Sequence, residues 1–361
     1  MAKLAEEDVF EVEDLRVLRT VIGLEGFFTK VTCHKITAAL DTLPKGAFAW
    51  KRGVKKVQEL SAKVPMGFNL LRPFPSWKRL VGAGSATSYK HATVYKLDGS
   101  VAAVLTGHSS EVFCVAVDNS QIMTGCNDGM IFLFGAENFE TRGRIQHGKD
   151  AVWALAIRGD VAVSGSIDKT VKLWNVAHEE MLLFFQGPPK CESTTSLEDH
   201  TAAVRCVDIS DEAVVSASDD CTARIWPREG GKCRFVLTHP RNVYAAHLEG
   251  DTLATGCGDR IVRTFTVSKG QLTRELRGHR GFVFSVALCG TVLVSGSGDR
   301  KVKVWSLEEE TTGECVATLE GHVGAVSGVA LSPEAGIVAS LGGDDKFVLW
   351  EPDSGVKPTL W

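Results

Sequence analysis

The stretch Ser164-Gly-Ser-Ile-Asp-Lys-Thr-Val-Lys-Leu-Trp174 contains a short polar turn between two runs rich in β-forming residues. This pattern favours a β-hairpin. A close copy, Ser295-Gly-Ser-Gly-Asp-Arg-Lys-Val-Lys-Val-Trp305, occurs later in the chain. A histidine lies 21 residues before the aspartate of the first copy and 20 residues before that of the second. The chain therefore contains a repeated structural unit.

The same unit occurs six times in the last two thirds of the chain. Its histidine and aspartate pairs are His108 and Asp128, His147 and Asp168, His200 and Asp220, His239 and Asp259, His279 and Asp299, and His322 and Asp344. Its aromatic residues are Phe134, Trp174, Trp226, Phe265, Trp305 and Trp350, and its hydroxyl residues are Thr124, Ser164, Ser216, Thr255, Ser295 and Ser340. Successive aspartates lie 40, 52, 39, 40 and 45 residues apart. Four-stranded propeller blades repeat every ~40 to 45 residues, so the spacing predicts a propeller with one insertion, which we interpret as a surface loop at 178–199.

Each unit supplies one hydroxyl, one imidazole, one carboxylate and, in four units, one indole. If the fold brings them together, the indole N–H can donate to the hydroxyl, the hydroxyl to the imidazole and the imidazole to the carboxylate. Phe134 and Phe265 cannot donate a hydrogen bond. We therefore expect weaker quartets in the first and fourth units.

The two quoted stretches, together with Gly321-His322, closely resemble WD40 repeats, and the resemblance covers roughly residues 80 to 361. It implies an all-β propeller. The short connections Arg158-Gly-Asp160 and Cys289-Gly-Thr291 are more similar to propellers of the F-box/WD kind.

A seventh blade is predicted from what the six units leave over. Residues 79–97 resemble a degenerate second and third strand, and 356–360 could form an outer strand. A seven-bladed ring closed by pairing between C-terminal and N-terminal strands uses both segments and removes exposed sheet edges. We favour seven blades over six.

We assign residues 1–66 to a helical region and 67–361 to the propeller. Apolar periodicity predicts helices over 11–22 and about 27–43. The run from Lys45 to Lys63 is interpreted as a basic helix with a solvated face, and a role in nuclear targeting or in binding an acidic partner is the alternative. The first two helices weakly resemble an F-box, although no Leu-Pro opens them and the usual tryptophan is missing. That resemblance implies docking on a Skp1-like adaptor through Leu15, Leu18, Ile22, Phe27 and Phe28. The alternative is a helical bundle packed against the propeller.

Composition and motifs argue against several classes of protein. The formal net charge is −4, with an excess of basic residues in 1–80 and an acidic remainder, so nucleic-acid binding is not expected. No run approaches the ~18 apolar residues of a membrane span, and the N-terminus lacks a signal core. The ten cysteines are mostly single residues in apolar strands, which suggests reduced thiols in a cytoplasmic or nuclear protein. No zinc-type spacing or phosphate loop occurs, so no metal or cofactor is expected.

Two sets of residues are candidates for partner binding. The first follows the initial valine of each innermost strand and comprises Phe113, Trp153, Arg205, Tyr244, Phe284 and Ser327. The second lies in the histidine and aspartate turns and comprises Arg241, Arg260, Arg280 and Arg300, with Lys149 and Lys169 further round. Aromatic residues and arginine dominate interface energies, and guanidinium groups pair with carboxylates and phosphates. Blade packing for the first set and simple solvation for the second are the alternatives.

Serine, histidine and aspartate recur in six units, whereas a catalytic triad is assembled once around an exposed nucleophile. We therefore predict a non-catalytic protein-protein interaction platform. Its sharper form is a substrate receptor of a Skp1/cullin-type ubiquitin ligase that binds acidic or phosphorylated peptides. The alternative is a scaffold subunit of a larger assembly without a ligase role.

Overall fold

The computed structural model describes residues 54–61, 71–73, 79–83, 90–96, 100–176, 195–197, 200–308, 313–331, 337–344 and 346–352. These residues form 28 strands in seven four-stranded antiparallel sheets. The predictions for residues 1–53, including the adaptor-binding residues Leu15, Leu18, Ile22, Phe27 and Phe28, lie outside the described part of the chain.

The structure contains the following strands in chain order. They are β1 Val54–Ser61, β2 Leu71–Pro73, β3 Arg79–Ala83, β4 Ala92–Lys96, β5 Val101–Leu105, β6 Val112–Val117, β7 Gln121–Cys126, β8 Met130–Gly135, β9 Thr141–Gln146, β10 Val152–Arg158, β11 Val161–Ser166, β12 Val171–Asn175, β13 Thr195–Leu197, β14 Val204–Ile209, β15 Ala213–Ser218, β16 Thr222–Pro227, β17 Phe235–Thr238, β18 Val243–Glu249, β19 Thr252–Cys257, β20 Val262–Thr266, β21 Gln271–Leu276, β22 Val283–Cys289, β23 Val292–Ser297, β24 Lys301–Ser306, β25 Cys315–Glu320, β26 Val326–Leu331, β27 Val338–Gly342 and β28 Lys346–Pro352.

Consecutive groups of four strands, starting at β2, form blades 1 to 6, and each blade is a simple antiparallel meander. The first strands of neighbouring blades contact one another from β6 round to β26, and β2 contacts both β26 and β6. The first strands therefore line the axis of a closed seven-bladed propeller. This confirms the predicted fold and blade number, and β3 and β4 match the degenerate strands predicted at 79–97.

Blade 7 is closed by a strand from the N-terminal side of the ring. Its order is β1-β28-β27-β26, with Val54 paired to Pro352 and Ser61 to Lys346. The helical assignment of 1–66 is therefore wrong for residues 54–61, which belong to the propeller. The outer strand proposed at 356–360 lies outside the described residues, and β1 takes the place proposed for it.

The insertion before His200 also contains a strand. Residues 195–197, assigned to a surface loop from the sequence, form β13 and pair with β12 as the outer strand of blade 3. The loop prediction is wrong for these three residues, and 178–194 lies outside the described part of the chain.

The core lies between the sheets. Each of five apolar clusters combines residues of two adjacent blades, and a sixth joins blade 1 to blades 2 and 7. Trp226 and Trp305 are among the largest side chains that are fully buried. Because both faces of most strands are covered, their sequences are apolar on both sides, as predicted.

Candidate protein-binding site

The predicted quartet is complete in blades 4, 6 and 7. In blade 4, Trp226 Nε1 donates to Ser216 Oγ at 2.9 Å, His200 Nε2 lies 2.7 Å from the same hydroxyl, and His200 Nδ1 lies 2.7 Å from Asp220. A carboxylate only accepts, so Nδ1 donates to it and Nε2 accepts from the hydroxyl. The equivalent contacts in blades 6 and 7 measure between 2.8 and 3.0 Å.

The serine hydroxyls of these quartets are buried and used in hydrogen bonds within the protein. Ser216, Ser295 and Ser340 are completely buried, and each hydroxyl already bonds an indole and an imidazole. Burial alone would raise the pKa of the Asp299 carboxyl, but hydrogen bonds from His279 and from backbone N–H groups lower it overall. The quartet therefore holds the turn of each blade, and its serine is inaccessible as a nucleophile.

Blade 3 contains a variant of the quartet. Trp174 Nε1 donates to Ser164 at 2.7 Å, but His147 contacts this hydroxyl through Nδ1 at 2.6 Å. Its Nε2 lies 2.9 Å from Thr170 Oγ1, which donates to Asp168 at 2.7 Å. A threonine hydroxyl therefore lies between imidazole and carboxylate.

The quartets of blades 2 and 5 are incomplete, as predicted from Phe134 and Phe265. Each histidine still bonds a buried threonine, at 2.8 Å in blade 2 and 3.0 Å in blade 5. Each Nδ1, however, is directed to a backbone carbonyl rather than to the aspartate: His108 to Lys90 and His239 to Leu237. Burial lowers the pKa of both histidines to about 4, so both are neutral at neutral pH.

The contact of His108 with Lys90 joins blade 2 to the degenerate blade 1. The imidazole and the carbonyl are 3.2 Å apart, and Lys90 Nζ donates to the Ser109 carbonyl at 2.8 Å. On another part of the same junction, Arg79 lies 5.2 Å from the ring centre of Phe139. The incomplete quartet of blade 2 thus contributes to closure of the ring.

The first set of predicted site residues occupies one structural position. The inner strand of each of blades 2 to 7 contains a β-bulge, and the pairing register shifts across its second residue, which is the extra residue of the bulge. These strands are β6, β10, β14, β18, β22 and β26. These second residues are Phe113, Trp153, Arg205, Tyr244, Phe284 and Ser327, and all are half-buried. A bulge redirects the side chain of its extra residue. The six side chains therefore share one level of the inner strands.

Within this set, Trp153 and Arg205 lie together, and the Arg205 guanidinium is already paired. Its Cζ lies 4.0 Å from the ring centre of Trp153, and its Nε and Nη2 contact Asp219 at 2.8 and 2.6 Å. Asn242 also donates to Asp219 at 2.9 Å. Arg205 is thus held by the protein itself and is less available to a partner than the sequence suggested.

Tyr244 and Phe284 belong to an aromatic cluster completed by Phe282. The ring centres are 5.4 Å apart for Tyr244 and Phe284, 6.1 Å for Tyr244 and Phe282, and 6.3 Å for Phe282 and Phe284. Phe282 is 43% exposed. The sequence analysis missed it because it lies one residue before the inner strand, outside the repeated position.

The four predicted arginines are all exposed and lie in turns of blades 5 and 6. Arg260 and Arg300 directly follow the quartet aspartates and have left-handed backbones, with φ of 74° and 69°. Among the interactions described for residues 200–308, none pairs the side chain of Arg241, Arg260, Arg280 or Arg300 with a carboxylate. These cations therefore face solvent, unlike Arg205.

A cavity of about 460 Å³, which we call the arginine cavity, lies beside two of these arginines, whereas Arg280 and Arg300 are in neighbouring turns and do not line it. It is lined by Arg241, Gly258, Asp259, Arg260 and Phe282. A Cβ at position 258 would lie 3.3 Å from Tyr244 Cε2 and 3.5 Å from Arg241 Cβ, so the glycine keeps this space open. The structure thus brings two predicted arginines into contact with one cavity and adds Phe282 and Gly258, which the sequence analysis missed.

Asp259, at the cavity wall, is held by Arg263 instead of a histidine. Arg263 Nη2 donates to Asp259 at 2.6 Å, and Arg263 Nε donates to Glu275 at 3.0 Å. Burial by itself would raise the pKa of Asp259, but the bonds from Arg263 and the neighbouring groups lower it overall. Arg263 was not among the predicted site residues.

No metal site, disulfide or membrane-spanning helix is found in the described part of the chain. Within it no group of three or more His, Cys, Asp or Glu side chains is arranged to hold a metal ion. The eight cysteines in that part are free thiols. No helix among the described residues is long and apolar enough to cross a membrane.

Comparison with known proteins agrees with this architecture. The family model for the WD domain, G-beta repeat, matches residues 99–134, 140–175, 191–227, 270–306 and 313–351. The chain is 27% identical over 203 residues to WD repeat-containing protein pop2 of Schizosaccharomyces pombe, covering 46% of this chain and 27% of that protein. It is 29% identical over 254 residues to cilia- and flagella-associated protein 52 of Chlamydomonas reinhardtii, covering 67% of this chain and 39% of that protein.

The chain thus spans less than half the length of these relatives. Among solved structures, a chain in the crystal structure of the mitotic checkpoint complex superposes with a TM-score of 0.71 at 20% identity, covering 82% of this chain and 91% of that one. At 20% identity this structural similarity shows a shared fold and nothing about a shared function. The repeated quartets, the seven-bladed ring and the matched repeats together show that this chain belongs to the WD40-repeat family.

Proposed function

We propose that this propeller captures an acidic or phosphorylated segment of a partner protein in the arginine cavity. The observation that carries the proposal is the set of four exposed arginines, on two adjacent blades, that have no carboxylate partner among the interactions described for that region. The coarser conclusion, a non-catalytic protein-interaction platform, follows from the WD40 fold and its buried quartets.

The chemistry of the cavity favours an anion with an adjacent apolar group. Guanidinium groups form bidentate, charge-assisted hydrogen bonds to carboxylates and phosphates. Phe282 offers an exposed ring beside Arg241 and Arg260, and aromatic residues next to arginine are frequent anchors of interfaces.

The direct test uses a fluorescein-labelled peptide pool with a fixed central phosphothreonine and degenerate flanks, and its unphosphorylated counterpart. We expect the wild-type chain to bind the phosphorylated pool more tightly in fluorescence anisotropy. The double variant Arg260→Glu and Arg300→Glu should lose about 3 kcal/mol or more, roughly a hundredfold in affinity.

Lys232→Glu with Arg234→Glu provides a matched control. Both residues are exposed and lie between β16 and β17, at the end of blade 4 opposite the quartet turns. The control makes the same change in net charge and should bind as the wild type does. Equal loss in both variants would show a general charge effect and would refute a site at the cavity.

The ligase role is a further part of the proposal and is supported by the F-box resemblance of residues 11–43. In this role a Skp1-like adaptor binds the N-terminal region while the propeller holds the substrate. The adaptor contacts Leu15, Leu18, Ile22, Phe27 and Phe28. Affinity capture of the full chain should recover an adaptor and a cullin, and Leu15→Asp with Leu18→Asp should abolish their recovery. Recovery of a fixed stoichiometric complex without them would favour the scaffold alternative.

A further inference from the structure

We infer that Arg263 is a positioning residue that makes the arginine cavity selective for anions by neutralising Asp259 in its wall. The inference rests on the proposed function and extends it to a buried residue that does not line the cavity. It concerns the difference between blade 5 and the blades with complete quartets.

In blades 4, 6 and 7 the quartet aspartate bonds a histidine, whereas Asp259 bonds Arg263. His239 is directed away, with Nδ1 3.0 Å from the Leu237 carbonyl. An uncharged imidazole could not offset the charge of Asp259 in any case. Arg263 is therefore the group placed to neutralise this carboxylate.

The other hydrogen bonds described for Asp259 involve uncharged groups. Its backbone N–H contacts Cys257 Sγ at 3.5 Å, and its Oδ1 accepts from the Ile261 N–H at 3.1 Å. Arg241 and Arg260 line the same cavity, and Glu275 binds the other side of Arg263. Glu275 is in turn paired with Arg277 at 2.6 Å. Charges thus alternate from Asp259 through Arg263 and Glu275 to Arg277.

The position of Arg263 suits this role. Its side chain is only 7% exposed, and among the described residues no hydrogen-bond partner is found for its buried Nη1. Without Arg263, the carboxylate of Asp259 would repel an incoming anion and compete with it for Arg241 and Arg260. With Arg263 present, Asp259 is already paired, and the guanidinium groups of Arg241 and Arg260 stay available to the ligand.

The test compares Arg263→Gln, Arg263→Lys, Asp259→Asn and the double variant Arg263→Gln with Asp259→Asn. The probe is the phosphothreonine peptide pool, with the unphosphorylated pool as reference. We expect Arg263→Gln to weaken binding roughly five- to tenfold, the effect of one uncompensated charge near the anion at the effective dielectric of a protein surface. Arg263→Lys and the double variant should bind within about twofold of the wild type.

A pH series separates electrostatic positioning from a structural effect. In Arg263→Gln, Asp259 loses its ion pair, so its pKa should rise, and protonation at lower pH should remove the extra charge. The ratio of wild-type to variant affinity should therefore fall as the pH is lowered, because both proteins bind the same probe. In the double variant the ratio should stay constant.

Each result decides between the hypotheses. If Asp259→Asn fails to restore binding in Arg263→Gln, Arg263 does not act through this carboxylate and the inference is wrong. If Arg263→Gln does not fold, Asp259→Asn still tests the inference, because Arg263 is then an uncompensated positive charge near the anion and binding should tighten; binding equal to that of the wild type would refute the inference. If the wild type does not distinguish the two pools, the proposed function fails, whereas normal binding by Arg263→Gln refutes the inference alone.

Discussion

Replacing Arg300 by glycine should stabilise the protein while weakening anion binding. Arg300 has φ of 69° and occupies the turn position held in blade 2 by Gly129, with φ of 78°. Its N–H donates to the Ser297 carbonyl at 3.0 Å, and Gly129 makes the equivalent bond to Cys126 at 3.2 Å. Glycine can therefore form the same turn without the steric cost of a Cβ in this conformation.

The magnitude follows from two opposing terms. A left-handed backbone costs a residue other than glycine about 1 to 2 kcal/mol. Glycine loses about 0.5 to 1 kcal/mol more conformational entropy on folding than other residues. The net gain in the free energy of unfolding should be about 0.5 to 1 kcal/mol for Arg300→Gly. A similar gain is expected for Arg260→Gly, with φ of 74°, and the two should add because they lie in separate turns.

Arg280→Gly is the matched control because Arg280 is also exposed but does not have a positive φ. It should lose about 0.5 to 1 kcal/mol, since only the entropy term applies. Urea unfolding followed by tryptophan fluorescence measures the sign of each change, and peptide binding measures function. Shifts of the same sign in Arg300→Gly and Arg280→Gly would show that the left-handed backbone is not the cause.

Three further predictions concern the quartets and the closure. Ser295→Ala leaves Trp305 Nε1 and His279 Nε2 without a buried partner and should cost about 2 to 5 kcal/mol. Thr124→Val affects one bond and should cost about 1 to 3 kcal/mol, as measured by hydrogen exchange in each blade. Burial lowers the pKa of His239 from 6.5 to about 4, so the unfolded chain binds more protons than the folded chain between these pH values. The free energy of unfolding should therefore fall as the pH decreases from 6.5 to 4. His239→Asn should flatten this dependence in urea titrations. A chain starting at residue 62 lacks β1 and exposes the edge of β28, so it should aggregate in light scattering at temperatures where the full chain stays monodisperse.

Local patterns explain why most of the propeller could be predicted from the sequence. The hairpin between β11 and β12 begins and ends within one or two residues of the apolar runs, because a turn with a left-handed Lys169 fixes its geometry. The absence of an indole N–H at Phe134 and Phe265 correctly marked the incomplete quartets. These features depend on residues close in sequence or on repetition of one spacing.

The closure strand could not be predicted in the same way, because its pairing joins distant parts of the chain. The run of basic residues from Lys45 to Lys63 was interpreted as a basic helix. The register of β1 shifts between Lys56 and Gln58, so this strand contains a bulge and does not follow a strict two-residue alternation. Local sequence therefore did not reveal a strand whose partner, β28, lies almost three hundred residues later.

Arg263 was missed for a different reason. Lys172, Arg224 and Lys303 hold the equivalent position in other blades, so a basic residue there is not distinctive. Lys172 donates to the His147 carbonyl at 2.6 Å and Lys303 to Thr318 at 2.9 Å, whereas Arg263 pairs with the quartet aspartate. Residue type alone could not separate these roles, since the difference depends on which way the histidine of the blade is directed.

The two incomplete quartets differ in what replaces the histidine-aspartate bond, and this difference bears on function. In blade 2 the free Nδ1 of His108 bonds blade 1, so the departure supports closure of the ring. In blade 5 the aspartate bonds Arg263 and lies in the wall of the arginine cavity, beside the left-handed Arg260. A left-handed arginine is less stable than glycine, and a buried arginine is costly to desolvate. The turns of blades 3, 4 and 6 also place a residue other than glycine in the left-handed conformation, so this feature of Arg260 is not specific to blade 5. The bond between the quartet aspartate and a buried arginine is specific to blade 5 among the described quartets, and recognition of an anion accounts for it.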